Sequence, residues 1–251
     1  MIEKQERQLG AIILAAGRGS RIKAKGTNKV ALLLVDKPLI LHSIHVLEAM
    51  RFQAIVVVVG YAKESVKAVL KDSQIIFAEQ TKRLGTGHAA KVGVSKLPEE
   101  ISDVLIIYAD DSHFYKEEMI QKLVDAHIAS HASLTFLTIT VDNPAGLGRI
   151  IRDRADEVTA IIEEKDATEK QRKITEVNPA CYIFSTTFLR KYLPTLPKSK
   201  VTGEYYLTSL IDIALKNKEK ITTVHGGKMP WRGVNTEEEL AEAELLMRKT
   251  K

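Results

Sequence analysis

The sequence predicts an α/β protein: a mostly parallel sheet with helices on both sides, followed by a mixed β region. Three observations predict it. Short apolar runs alternate with helix-patterned segments as far as Ser130. From Ser133 the texture turns β-rich, broken by turns such as Asp142-Asn143-Pro144. No linker and no internal repeat divides the 251 residues, which read as one domain with a first part at 10–132 and a second at 133–251. Alternation of this length is the pattern of parallel strands joined by helical crossovers.

Taken in order, the strand expectations of the first part are Ala11–Leu14, Ala54–Val59, Ile75–Phe77 and Val104–Tyr108. Helices are expected between them at Pro38–Met50, Lys63–Lys71 and Thr86–Leu97, and after them at Lys116–Ser130. Pro38 suits a first helical turn, where its missing N–H has no partner to lose. Leu41, Ile44 and Leu47 then fall on one buried face. In the second part Ser133–Val141, Gly148–Arg152, Val158–Ile162 and Ala180–Phe184 read as strands. Pro194–Lys200 reads as a loop, and Gly203–Leu215 and Thr236–Arg248 read as helices.

The segment Gly10–Lys29 carries the most chemistry. Its apolar strand breaks at once into Ala15-Ala16-Gly17-Arg18-Gly19-Ser20-Arg21. Two glycines let the backbone turn sharply and leave N–H groups uncovered. A nest of N–H groups beside cations is a phosphate cradle, and Arg21 and Lys29 supply the cations. In open α/β sheets, ligands gather at the carboxyl ends of the strands, where this loop lies. A dinucleotide fingerprint fails because Ile22 stands where a third Gly or Ala is needed. A P-loop fails because Gly19-Ser20-Arg21 lacks the Lys. The expectation is a polyphosphate ligand.

Composition narrows the class. Hydrophobic residues make up 45% of the chain, ample for a large core. The 37 basic and 32 acidic residues give +5, and the basic ones are scattered, without the stripe of a nucleic-acid binder. The longest apolar runs, such as Ile55–Val59, are far too short to span a bilayer. The segment MIEKQERQLG is charged and lacks the apolar core of a signal peptide. Cys181 is the single cysteine, so no disulfide can form within the chain, which fits a reducing cytoplasm. It reads as a small buried residue.

Leu14-Ala15-Ala16-Gly17-Arg18-Gly19-Ser20-Arg21 resembles the L-A-A-G-x-G-T/S-R signature of the sugar-phosphate nucleotidyltransferases. Within them the resemblance is closest to the uridyltransferase half of bifunctional N-acetylglucosamine-1-phosphate uridyltransferases. It extends through Ala78-Glu79-Gln80, Leu84-Gly85-Thr86-Gly87-His88-Ala89, Gly146-Leu147-Gly148-Arg149-Ile150, Glu163 to Thr168, Gly203-Glu204-Tyr205-Tyr206 and Gly233-Val234-Asn235, in the family's order. Hexapeptide repeats, from which the bifunctional proteins build an acetyltransferase, do not occur in this sequence.

The resemblance implies a Rossmann-like sheet of the nucleotide-diphospho-sugar transferase type, with the β-rich part as an acceptor lobe. It implies transfer of a nucleotidyl group from a triphosphate, UTP foremost, to a sugar 1-phosphate, N-acetylglucosamine 1-phosphate foremost. It assigns catalytic roles to Arg21, Lys29 and Asp110. Leu14, Ala15, Ala16, Gly17, Gly19, Lys29, Gln80, Gly85 and Thr86 hold the nucleotide. Tyr108, Gly148, Glu163, Asn178 and Tyr206 hold the acceptor. Asp110 and Asn235 hold Mg²⁺, a hard cation that takes few protein ligands. Outside the resemblance, Asp110 reads equally as a cap of the next turn, and Glu163-Glu164-Lys165-Asp166 as a solvated charge run. The partners implied are the two small substrates, with no nucleic acid and no membrane; the sequence assigns no oligomeric state. Phosphocholine or another small phosphate is the alternative acceptor. A non-catalytic nucleotide-sugar sensor is the alternative class, against which the joint presence of Arg21, Lys29, Asp110 and Asn235 speaks.

Several positions depart from the family pattern. Asp111-Ser112-His113 stands where an apolar residue, Pro and Leu are usual, and Asp111 is expected to point into solvent. Phe77 stands where the uridyltransferases have a base-contacting Gln, and Thr81-Lys82-Arg83 lengthens the connection after Gln80. Asn178-Pro179-Ala180 replaces Asn-Thr-Gly, and Pro179 removes an N–H and restricts Asn178. Asn28 replaces a common Pro before Lys29 and is expected to loosen that turn. His127 and His131 sit four apart, a spacing that can bind zinc, but no third ligand accompanies them. They are expected at a surface helix end. His42 and His45 read the same way, and His88 reads as structural.

Overall fold

The computed structural model describes residues 7–22, 24, 26–164 and 166–249. Most of the charged MIEKQERQLG segment and Lys165 of the Glu163–Asp166 run lie outside the described residues.

The chain opens with β1 (Leu9–Ala15), a short hairpin of β2 (Leu33–Leu34) and β3 (Lys37–Pro38), and α1 (Leu39–Ala49). β4 (Ala54–Val59), α2 (Lys63–Val69), β5 (Ile76–Glu79), α3 (Thr86–Val94), β6 (Asp103–Tyr108) and α4 (Glu117–Ser130) complete the first part. The second part holds β7 (Leu134–Thr140), β8 (Gly148–Arg152), β9 (Val158–Ile162), α5 (Glu169–Arg172), β10 (Glu176–Asn178) and β11 (Cys181–Ser185). It closes with α6 (Thr186–Tyr192), α7 (Ser209–Lys216), β12 (Ile221–Lys228) and α8 (Glu237–Lys249).

The expected parallel core is present as β5-β4-β1-β6, all pairs parallel. The β-rich part continues the same sheet: β11 joins β6 antiparallel, β7 follows, and β10, β8 and β9 extend the far edge. β12 adds to β7 in parallel.

Side chains alternate between faces along a strand, so the central strands are apolar throughout. Ile13, Val57, Leu105 and Ile107 pack under Leu39, Ile44 and Leu47 of α1 and Leu123 of α4. Ile12, Val56, Val58 and Ile106 pack on the other face, against Ala89 and Ala90 of α3 and Phe188 and Leu189 of α6. The single cysteine, Cys181, is fully buried in β11.

Three sequence expectations are corrected here. Residues 203–208 are not helical; the helix begins at Ser209. Tyr205 N donates to Leu84 O and Gly87 N to Tyr205 O, both at 2.8 Å, so this stretch bonds to the loop before α3 instead of to itself. Helix α3 ends at Val94, short of Leu97. His127 is fully buried, its Nε2 3.1 Å from Asp103 and its Nδ1 2.8 Å from Thr135, so it is a core group and not a surface helix end. β10, α6 and β12 had no clear signal: the first is very short, and β12 is half-exposed with two glycines.

Candidate active site

A cleft of about 730 Å³ opens at the carboxyl ends of β1 and β6 and the N-terminus of α3. Leu14, Ala15, Ala16, Gly17, Gly19, Arg21, Lys29, Gln80, Gly85, Thr86, Tyr108, Asp110 and Asn235 line it. So do Asn28, Thr81 and Arg83, to which the sequence reading gave no binding role, and Glu204, which the resemblance had placed with the acceptor pocket.

Lys29 stands at the centre, 7% exposed. Its Nζ donates to Asp110 Oδ2 and, at 2.8 Å, to Asn235 Oδ1. Gly19, at φ +59°, makes room for this side chain: a Cβ there would lie 3.1 Å from Lys29 Cδ. Val234 N donates to Asp110 O at 2.9 Å, and Asn235 N donates to Glu239 Oε2 at 2.8 Å. The backbone thus fixes both partners of the lysine. A carboxylate oxygen and an amide oxygen converge on one cation, and two hard oxygen donors of this kind fit Mg²⁺. Arg21 is exposed at the cleft and makes no ion pair among the described residues.

Asp111 does not point into open solvent. Its Oδ1 fills the space that Gly233 leaves, where a Cβ would lie 2.0 Å away. Burial, and then the neighbouring Asp110 charge, push its pKa well above the ordinary aspartate value, against the pull of Lys29. The close packing on Gly233 overturns the solvated reading.

Asn28 does not loosen the turn before Lys29. It is 1% exposed, and its carboxamide donates to Ala15 O at 3.0 Å, Gly17 O at 3.3 Å and Tyr61 O at 2.8 Å. Its Oδ1 accepts from Val30 N at 3.2 Å, and its own N–H donates to Ser65 Oγ at 2.9 Å.

On the α3 side, Gln80 Nε2 donates to Gly85 O at 3.1 Å and lies 2.9 Å from His88 Nδ1. The carbonyl settles which end of the amide is nitrogen. Burial, then Lys91, lower the His88 pKa, which favours the neutral ring, whose Nδ1 can accept. Both amide hydrogens are then spent, and Gln80 keeps its oxygen as an acceptor. His88 is structural in this sense. Phe77 is not among the cleft-lining residues; it is partly buried and packs against the core, with the Lys67 ammonium 6.0 Å from its ring centroid. Its place in the family pattern therefore does not bring it to the cleft wall.

Of the acceptor set, only Tyr108 lines this cleft. Gly148 and Asn178 are register partners in β8 and β10. A Cβ on Gly148 would lie 3.7 Å from Glu163 Oε2, which places these three residues together. Glu163 as a residue is exposed, yet desolvation of its carboxyl raises its pKa, and Thr208 Oγ1 donates to it weakly at 3.4 Å. Asn178 is turned inward: Nδ2 donates to Tyr182 Oη at 2.6 Å and Oδ1 accepts from Ala180 N at 3.1 Å. Tyr206 Oη meets Thr202 Oγ1 at 2.6 Å and does not line the cleft. Arg149, 1% exposed, holds the Gly146–Arg149 turn through Leu147 O and, at 2.6 Å, Glu164. Glu164 is thereby paired, which the solvated reading of its charge run did not anticipate.

The sequence profile of the family described as "Nucleotidyl transferase" matches residues 10–250. "Bifunctional protein GlmU" of Psychrobacter sp. (strain PRwf-1) is 36% identical over 237 residues, covering 94% of this chain and 51% of that protein. "Bifunctional protein GlmU" of Francisella philomiragia is 40% identical over 239 residues, with the same coverage, 94% and 51%. The chain spans about half the length of the curated relatives it matches. A crystal structure from Bacillus anthracis, described as a glucose-1-phosphate thymidylyltransferase in complex with sucrose, aligns with a TM-score of 0.80 at 23% identity. It covers 96% of this chain and 95% of that one, a likeness of fold.

Proposed function

Because this chain belongs to the nucleotidyl transferase family, we propose that it joins a nucleoside triphosphate, UTP foremost, to a sugar 1-phosphate, N-acetylglucosamine 1-phosphate foremost. A phosphate oxygen of the sugar 1-phosphate attacks the α-phosphorus. The bond from that phosphorus to the bridging oxygen breaks, and pyrophosphate leaves with the electron pair. The products are a nucleotide sugar and pyrophosphate. The attacking phosphate is already ionised, so no protein nucleophile or general base is required. What the protein supplies is alignment and charge.

The Gly17–Gly19 loop cradles the triphosphate. Arg21 and Lys29 offset charge on the leaving pyrophosphate and the α-phosphate. Asp110 and Asn235 are the residues that would hold Mg²⁺, which when bound neutralises phosphate charge. Gln80, Gly85 and Thr86 face the nucleoside. Gly148, Glu163, Asn178 and Tyr206 form the acceptor wall, with Tyr108 between it and the cleft. On this reading residues 10–132 serve the nucleotide and 133–251 the acceptor within a single domain. Among the described residues no helix is long and apolar enough to cross a membrane. The reading puts the enzyme in the cytoplasm, where nucleoside triphosphates are made.

The observation that carries the proposal is the convergence of Lys29, Asp110 and Asn235 at the mouth of the glycine loop. The experiment that tests it is pyrophosphate release from UTP and N-acetylglucosamine 1-phosphate. Wild type should release it with Mg²⁺, and Asp110→Ala should not.

A further inference from the structure

We propose that Asn28 is a positioning residue for this transfer. Its buried carboxamide locks the phosphate loop, the turn after β4 and the turn carrying Lys29 into one rigid unit. The inference rests on the nucleotidyl-transfer reading for its kinetic arm, but the lock itself stands on geometry.

Three chain segments meet at this one side chain. Ala15 O and Gly17 O belong to the loop that follows β1, and Tyr61 O belongs to the turn between β4 and α2. Val30 N belongs to the single 3₁₀ turn that Lys29 opens. An amide NH₂ carries two hydrogens, so three carbonyls within 3.3 Å share them. The oxygen caps the Lys29 turn, and the backbone N–H ties to Ser65 in α2. No other residue type offers two donors, an acceptor and a backbone N–H in so short a side chain. A proline would stiffen the chain, but it has no N–H to reach Ser65.

The consequence lies on the path from packing to catalysis. Lys29 follows Asn28 directly, and its stem runs past Gly19. A shift of the Asn28 turn would therefore move the ammonium and the loop together. Misplacement of a reacting group by about 1 Å costs roughly a hundredfold in rate. Asn28 sits in the cleft wall, but it is 1% exposed and its carboxamide spends its donors and its acceptor on these segments, so it acts through its neighbours and not on the substrate.

The test compares hydrogen exchange and kinetics of wild type and Asn28→Ala, with Asn28→Ser, which keeps one donor, as the variant to use if Asn28→Ala does not fold. Amides of residues 15–22 should exchange about tenfold faster or more in the variant, while those of β11 are unchanged. kcat/KM for the triphosphate should fall about a hundredfold, with the KM for the sugar phosphate unchanged. Unchanged exchange at 15–22 overturns the proposal. So does a lowered melting temperature with wild-type kinetics per folded molecule, which marks a merely structural residue. If wild type turns over no triphosphate while exchange still rises in the variant, the lock stands and the transfer reading fails.

Discussion

Lys29 reaches Asn235 across 206 residues of sequence, donating to its Oδ1 at 2.8 Å while also contacting Asp110. A cation is thus held at the point where two oxygen donors from distant parts of the chain converge. The carboxylate is balanced before any substrate arrives, and the pair is held open by backbone bonds to Val234 and from Asn235 to Glu239.

Removal of Asp110 should remove the metal response along with the rate. Asp110→Ala should lose about 2 to 4 kcal/mol of transition-state stabilisation, read as a fall in kcat with the circular dichroism spectrum unchanged. Asn235→Ala should raise the Mg²⁺ concentration needed for half-maximal rate. Wild-type activity in EDTA would sink the assignment.

The two cations should differ in tolerance. Lys29→Ala leaves the Asp110 carboxylate without its ammonium partner, so it should lower both kcat and the melting temperature. Arg21 has no partner to abandon among the described residues, so Arg21→Ala should lower the rate alone. Arg21→Lys should recover only part of it, since a point charge cannot copy the planar fork. Wild-type kinetics in both alanine variants would show that neither touches phosphate.

Glu163 should act on the acceptor alone. A carboxylate can accept from two hydroxyls, and loss of such an acceptor leaves substrate groups unpaired. Glu163→Ala should raise the sugar-phosphate KM much more than the nucleotide KM. An equal rise in both would remove it from the acceptor wall.

The buried Asp103 pair sets an acid limit on stability. Burial would raise the Asp103 pKa, but hydrogen bonds and charge from His127, the Arg7 charge and Ser102 outweigh it, and the net value is below the ordinary one. A depressed folded-state pKa contributes stability above the unfolded value of about 3.9, and that contribution is lost as pH falls through the folded value. Asp103→Asn should therefore lower the melting temperature at neutral pH, and its deficit should shrink in the acid range. Each broken buried bond is worth about 1 to 3 kcal/mol. A deficit that stays constant from pH 7 down to acid unfolding would contradict this.

Much of this was legible in the residues. The parallel core followed from apolar runs with one-residue or two-residue errors at the ends, because burial on both faces leaves an unbroken signal. That Gly17, Gly19, Arg21 and Lys29 gather at one cleft was legible because they are close in sequence. Asp110 and Asn235 were brought together only by family resemblance, since nothing local links residues so far apart. The role of Asn28 was misread, because its partners Tyr61 and Ser65 come from another turn. Asp111 was misread for the same reason, its neighbour Gly233 being remote. The inward turn of Asn178 depends on Tyr182 of β11, which spacing alone does not reveal.

The central claim is nucleotidyl transfer to a sugar 1-phosphate, and a matrix of nucleoside triphosphates against phosphate acceptors, scored by pyrophosphate release, tests it most directly. The account predicts release only when a triphosphate, a hexose 1-phosphate and Mg²⁺ are all present, with UTP and N-acetylglucosamine 1-phosphate the best pair and a nucleotide sugar formed in equal amount. Release with phosphocholine and with no hexose phosphate, or no release with any pair, would contradict it.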